Sequence, residues 1–180
     1  YNVVNTWRNA VEYVDVKFVT IDGYGATLTH GATADPDPYG NSESAIQFRT
    51  DAATGIGSCS DIVIKGLKNV GVRVVINQGA GVIDGNAHGF AFKGVYRTKV
   101  IDCQLDDWAT DGIYYGMTYS DTYHGQDQIV RGTTCDNNTR QGLSVVNNDN
   151  VLIDGNTFSN TNGGSFGHGV DLEPNSGFLQ

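Results

Sequence analysis

Short runs of alternating apolar and polar residues recur along this 180-residue chain, and five of them align on a small residue followed by alternating apolar positions. They are Ser44-Ala-Ile-Gln-Phe48, His88-Gly-Phe-Ala-Phe92, Asp111-Gly-Ile-Tyr-Tyr115, Gln141-Gly-Leu-Ser-Val145 and His168-Gly-Val-Asp-Leu172. Four of the five carry Gly in second place, and Gly89, Gly112, Gly142 and Gly169 follow one another at intervals of 23, 30 and 27 residues. A second set interleaves with the first: Val19–Gly23, Asp61–Gly66, Thr98–Cys103, Gln128–Gly132 and Asn150–Phe158, all short, β-branched and bounded by turn residues. Alternation over four to six residues predicts strands, and no window sustains a helical period. The most helix-like stretch is Trp7–Val14.

Two or three short strands per repeat of about 23–30 residues match the coil of a parallel β-helix, in which inward side chains stack on like side chains from coil to coil. The expected fold is therefore all-β: a right-handed parallel β-helix, one strand of each kind per coil. Phe90, Ile113, Leu143 and Val170 form one predicted inner column, with Phe92, Tyr115, Val145 and Leu172 beside it. An antiparallel sandwich of short strands is the competing architecture. It does not account for the like-for-like columns, nor for the lack of Asn-Gly turns between the alternating runs. Gly31–Glu43 and Gly116–Asp127 break the period and are expected to be excursions, and Val72–Ile76 is an extra strand-like run.

Composition supports this picture. There are 24 Gly and 3 Pro, which suits many tight turns, and 39% hydrophobic residues are enough for a core. A net charge of −9 makes a nucleic-acid backbone a poor partner. No apolar run approaches the ~20 residues of a membrane-spanning helix, so no membrane insertion is expected. Cys59, Cys103 and Cys135 lack zinc-site spacing, and Cys103 and Cys135 read as buried residues of one interior stack. Asn137, Asn138, Asn156 and Asn160 read as structural turn residues.

The segments Arg140-Gln-Gly-Leu-Ser144 and Gly169-Val-Asp-Leu-Glu-Pro-Asn175, with Val19-Thr-Ile-Asp-Gly-Tyr-Gly-Ala26 near the start, resemble coils of the pectate-lyase-like β-helix superfamily of bacterial and phage proteins. The resemblance is clearest over residues 85–175. It implies action on polysaccharides by hydrolysis, elimination or epimerisation, or a spike such as a tailspike depolymerase, and an extracellular or virion-associated setting. The fold does not choose among these chemistries. Residues 1–180 are expected to form one domain, itself part of a longer chain or of an oligomer such as a homotrimer, because Gly177–Gln180 is too apolar to cap an open end.

If Val170 and Leu172 point inward, alternation sends Asp171 and Glu173 to the outer face, with Cα atoms about 6.5–7 Å apart. Two carboxyls on one face are what glycoside hydrolysis needs. Ser144, Val146, Tyr114 and Gly116 would floor the same groove, with His168 at its entrance and Asn175 just beyond. Asp106-Asp107-Trp108-Ala-Thr-Asp111 is a second acidic turn, in which Asp107 or Asp111 would supply a third carboxylate and Trp108 a sugar-stacking surface. The leading expectation is thus a hydrolase of bacterial surface polysaccharide. Asp171, Glu173, Asp111 and Asp107 are its catalytic candidates, and His168, Tyr114, Trp108, Arg140 and Asn175 its substrate contacts. No cofactor is required by this chemistry, although an acidic turn could also hold Ca²⁺. A non-catalytic glycan-binding or structural spike is the alternative. A lyase or C5-epimerase acting on uronic acids comes third. A lyase would take Arg140 or Lys93 as its base, and an epimerase motif would place His where this chain has Glu173. Tyr119, Tyr123 and His124 are candidates for an aromatic wall.

Overall fold

The computed structural model describes residues 11–29, 44–51, 55, 57–71, 88–117, 124–161 and 167–174. Sixteen strands and no helix lie among the described residues. The chain first lays down β1 (Val11–Val14), β2 (Lys17–Asp22) and β3 (Thr27–Thr29). It continues with β4 (Ile46–Arg49), β5 (Ser60–Lys65) and β6 (Lys68–Val70), then β7 (Phe90–Lys93), β8 (Tyr96–Ile101) and β9 (Gln104–Asp106). After these come β10 (Ile113–Gly116), β11 (Gly125–Arg131) and β12 (Thr134–Asp136), then β13 (Gln141–Val146), β14 (Asn148–Asp154) and β15 (Thr157–Ser159), and last β16 (His168–Glu173). Strands three apart in the chain pair in parallel. The sheets run β1-β4-β7-β10-β13-β16, β2-β5-β8-β11-β14 and β3-β6-β9-β12-β15. The described chain is all-β with three parallel sheets, an arrangement compatible with the expected parallel β-helix.

In the first sheet Ile46, Phe90, Ile113, Leu143 and Val170 share one register, and Phe48, Phe92, Tyr115, Val145 and Leu172 share another. Rings stack along the second column, with centroids 4.6 Å apart for Tyr13–Phe48, 5.8 Å for Phe48–Phe92 and 4.9 Å for Phe92–Tyr115. These spacings follow the ~4.8 Å step between strands. The column is buried through its middle, while Val170 and Leu172 on the last strand are 36% and 63% exposed.

Glycine recurs at the entry to β7, β10, β13 and β16 because the chain corners tightly there. A Cβ on Gly112 would lie 2.8 Å from Cys135 Sγ and from the Gly142 carbonyl oxygen; one on Gly142 would lie 2.6 Å from the Phe158 ring. The corner also turns the residue after the leading polar one inward. Strict alternation, read back from the strand, therefore fails at its first positions.

Several expectations change. The third sheet has three-residue strands, too short to show a period, and the sequence set had folded β15 into its neighbour β14. Val11–Val14, part of the most helix-like stretch, is strand β1. The excursion over Gly116–Asp127 is narrower than expected, since Gly116 closes β10 and Gly125–Asp127 open β11. Cys135 lies in β12 between Leu105 and Phe158, whereas Cys103 is in the turn between β8 and β9; both are buried, but they are not equivalent. Residues 7–10, Gly31–Glu43, Val72–Ile76, Tyr119, Tyr123, Asn175 and Gly177–Gln180 lie outside the described residues.

Asn138 and Asn156 bind backbone at the turns. Asn138 accepts from the Trp108 N–H at 2.9 Å and donates to the Leu105 carbonyl at 3.1 Å, and Asn156 accepts from the Thr133 N–H at 2.9 Å. Asp107, Asn137 and Asn160 adopt φ of 61°, 56° and 54° at matching turns, a left-handed conformation that Asp and Asn tolerate best among non-glycine residues.

Candidate functional site

The site grows from the polar residue that leads each strand of the first sheet. Backbone bonds stack these residues: the carbonyls of His88, Asp111 and Gln141 accept from the N–H groups of Ala45, Gly89 and Gly112, and Gln141 pairs with His168. At the centre is Asp111, fully buried. The Arg140 fork grips it through Nε at 2.9 Å and Nη2 at 2.6 Å, and the Gln141 N–H donates to it at 3.2 Å. Burial alone would raise the Asp111 carboxyl, but the Arg140 guanidinium and then His88 hold it well below the usual carboxylate range. The pairing in turn outweighs burial at Arg140 and holds its guanidinium protonated.

His88 is also fully buried, and its Nδ1 lies 3.2 Å from Asp111 Oδ2 and 2.9 Å from Thr110 Oγ1. Burial pushes the imidazole pKa down against the pull of Asp111, so the ring is neutral. A carboxylate can only accept, which puts the proton on Nδ1. The remaining nitrogen, Nε2, has no hydrogen-bond partner among the described residues. The ring stacks on Tyr114, with centroids 4.5 Å apart and planes 10° apart. Gly116 leaves room for this, since a Cβ there would collide with the Tyr114 ring.

The carboxyl pair lies on the same face. Tyr114, Ser144 and Asp171 are in register, as are Val146 and Glu173. Gln141 links them: its Nε2 donates to Asp171 at 3.2 Å and its Oε1 accepts from the Ser144 hydroxyl at 3.3 Å. Glu173 is exposed as a residue, yet its carboxyl is partly buried. That burial, then hydrogen bonding with Asp171 and the charge of Asp171, raises its pKa, while Arg140 pulls it down.

Not every sequence candidate joins this group. Trp108 is 1% exposed, with its Nε1–H directed to the Asn69 carbonyl at 3.3 Å; it fills the interior beside Gly71 and Gly89 and offers no face to a sugar. Asp107 sits at a left-handed turn and accepts from Asn137 Nδ2 at 2.6 Å. Asp111 is too deeply buried and too firmly ionised to exchange protons with a substrate, and its part is to hold Arg140 and His88. Lys93 is buried beside the column. His168 is exposed at the head of β16, where its N–H donates to the Arg140 carbonyl. His124, in the expected aromatic wall, lies 3.2 Å from Asp149. Among the described residues no three His, Cys, Asp or Glu side chains converge as a metal site.

His88 and Gln141 were missed as site residues. The signal was present in the aligned segments, whose first residue is polar in every case: Ser44, His88, Asp111, Gln141 and His168. No family model, no curated protein and no solved structure matches the chain.

Proposed function

We propose that the three parallel sheets are coils of a right-handed, pectate-lyase-like parallel β-helix, and that the chain hydrolyses a polysaccharide, such as one from a bacterial surface. Glu173 donates the proton to the leaving oxygen, and Asp171, the second carboxyl of the pair, acts as the nucleophile or as the base that activates water. The observation that carries this reading is the contact of Asp171 with Glu173 on one face, which together with burial raises the Glu173 carboxyl and suits it to hold a proton as general acid. Tyr114, in register with Ser144 and Asp171, supplies a half-buried ring on the same face. Hydrolysis is favoured over elimination because Arg140 is bound at both its Nε and Nη2 by Asp111 and held protonated, which removes it as a base.

One observation favours a second reading, a non-catalytic glycan-binding or structural β-helix. Of the residues expected to floor the groove, Ser144, Val146 and Gly116 are buried and Tyr114 is half-buried, so that floor is largely covered.

Reducing-end release and absorbance near 235 nm, measured together on bacterial capsular and O-antigen polysaccharides, separate these readings. New reducing ends without ultraviolet absorbance, falling by about 100-fold or more in Glu173→Gln, are expected for a general acid. Ultraviolet absorbance would make the chain a lyase. Binding without cleavage would establish the second reading.

A further inference from the structure

The charge balance around Asp171 and Glu173 points to a substrate class. Asp111 is paired with the Arg140 guanidinium, which also acts on Glu173, and Asp171 neighbours Glu173. The guanidinium of Arg140 is committed through two of its nitrogens to Asp111, which has no exposure of its own. Bidentate pairing is the geometry by which arginine would otherwise capture a sugar carboxylate. Lys93, a further cationic side chain among the described residues of this sheet, is 4% exposed. A uronate bound against the pair would therefore face Asp171 and Glu173 with the Nε/Nη2 fork of its best counter-ion already taken.

We infer that Asp111 is a specificity-determining residue: by occupying the Arg140 fork it makes the site reject uronate rings and accept an uncharged sugar next to Glu173. The inference rests on the hydrolase reading above and adds the substrate class to it. Asp111 acts through Arg140 and touches no substrate, so it is a positioning residue.

The test uses uronate-containing bacterial capsular polysaccharides and the same polymers after carboxyl reduction, which turns each uronate into a neutral sugar and leaves linkages intact. Wild type is expected to release reducing ends from the reduced polymer with kcat/KM at least about tenfold higher than from its parent. In Asp111→Asn the fork is released, and the preference is expected to shrink several-fold or reverse, a change that mere loss of folded protein cannot produce. Should Asp111→Asn fail to fold by circular dichroism, the wild-type ratio decides alone. A wild type that prefers the uronate parent, or a folded Asp111→Asn with an unchanged ratio, overturns the inference while leaving hydrolysis standing. Silence on both polymers, together with silence on neutral O-antigens, overturns the hydrolase reading and this inference with it.

Discussion

An unfolded histidine takes up a proton below about pH 6.5, and the buried His88 ring resists doing so. Burial depresses its folded pKa, against Asp111 and with help from the charges of Arg140 and Lys93. The unfolded state therefore binds more protons than the folded one below the unfolded pKa, and stability falls as pH drops from 7 towards 5. For this one proton the slope has a ceiling of about 1.4 kcal/mol per pH unit. Urea denaturation at pH 7 and pH 5 should show this, and His88→Gln should flatten it; a stability unchanged between the two values would contradict a neutral buried ring. That Asp171 and Glu173 share one face was legible in the sequence because strand alternation holds in β16. Asp111 and Trp108 were not, because they lie in the corner that leads into β10, where alternation gives no inside or outside. An acidic turn with a tryptophan looks like a sugar site in sequence, and here the same residues are a buried ion pair and a core side chain.

At the scale of elements, the glycine interval that revealed the repeat has a steric origin. Gly142 faces the Phe158 ring and the Gly169 carbonyl closely enough that Gly142→Ala must displace them. A cost of about 1–3 kcal/mol is expected, as for other overpacked sites, measurable as a lower urea midpoint with an unchanged slope. A second regularity could not be read from composition. Phe18, Asp61, Arg97, Asp127 and Asn150 take one place in β2, β5, β8, β11 and β14, all with φ between 52° and 61°. Asp and Asn suit this left-handed conformation; a bulky Phe18, 82% exposed, gains little there to offset the strain. Phe18→Asn is expected to stabilise the fold by about 0.5–1 kcal/mol, and a destabilised variant would show that the Phe18 ring has a partner to lose. The columns of the first sheet were readable because they repeat like residues. The third sheet was not, since three residues such as Thr134–Asp136 show no period and are set by their neighbours.

For the whole molecule, parallel pairing makes each strand the floor for the next, so a polar residue at a strand's head meets its counterpart one step along. That stacking lets Asp111 reach Arg140 and His88 across three levels, and lets Gln141 reach Asp171 on the last described strand. The interior tolerates polarity on the same terms: the Tyr115 hydroxyl and Gln128 both bond to Thr98 inside the core. The proposed chemistry sits where this stack meets solvent, with one carboxyl partly buried beside another. Its most direct test is a carbon-13 NMR titration of the Glu173 side-chain carboxyl in wild type and in Asp171→Asn. Glu173 is expected to titrate above the ordinary ~4.3 of a free glutamate and to move back towards it when Asp171 loses its charge. A Glu173 that titrates at the ordinary value in both proteins would contradict its raised pKa and, with it, the general-acid role assigned to it.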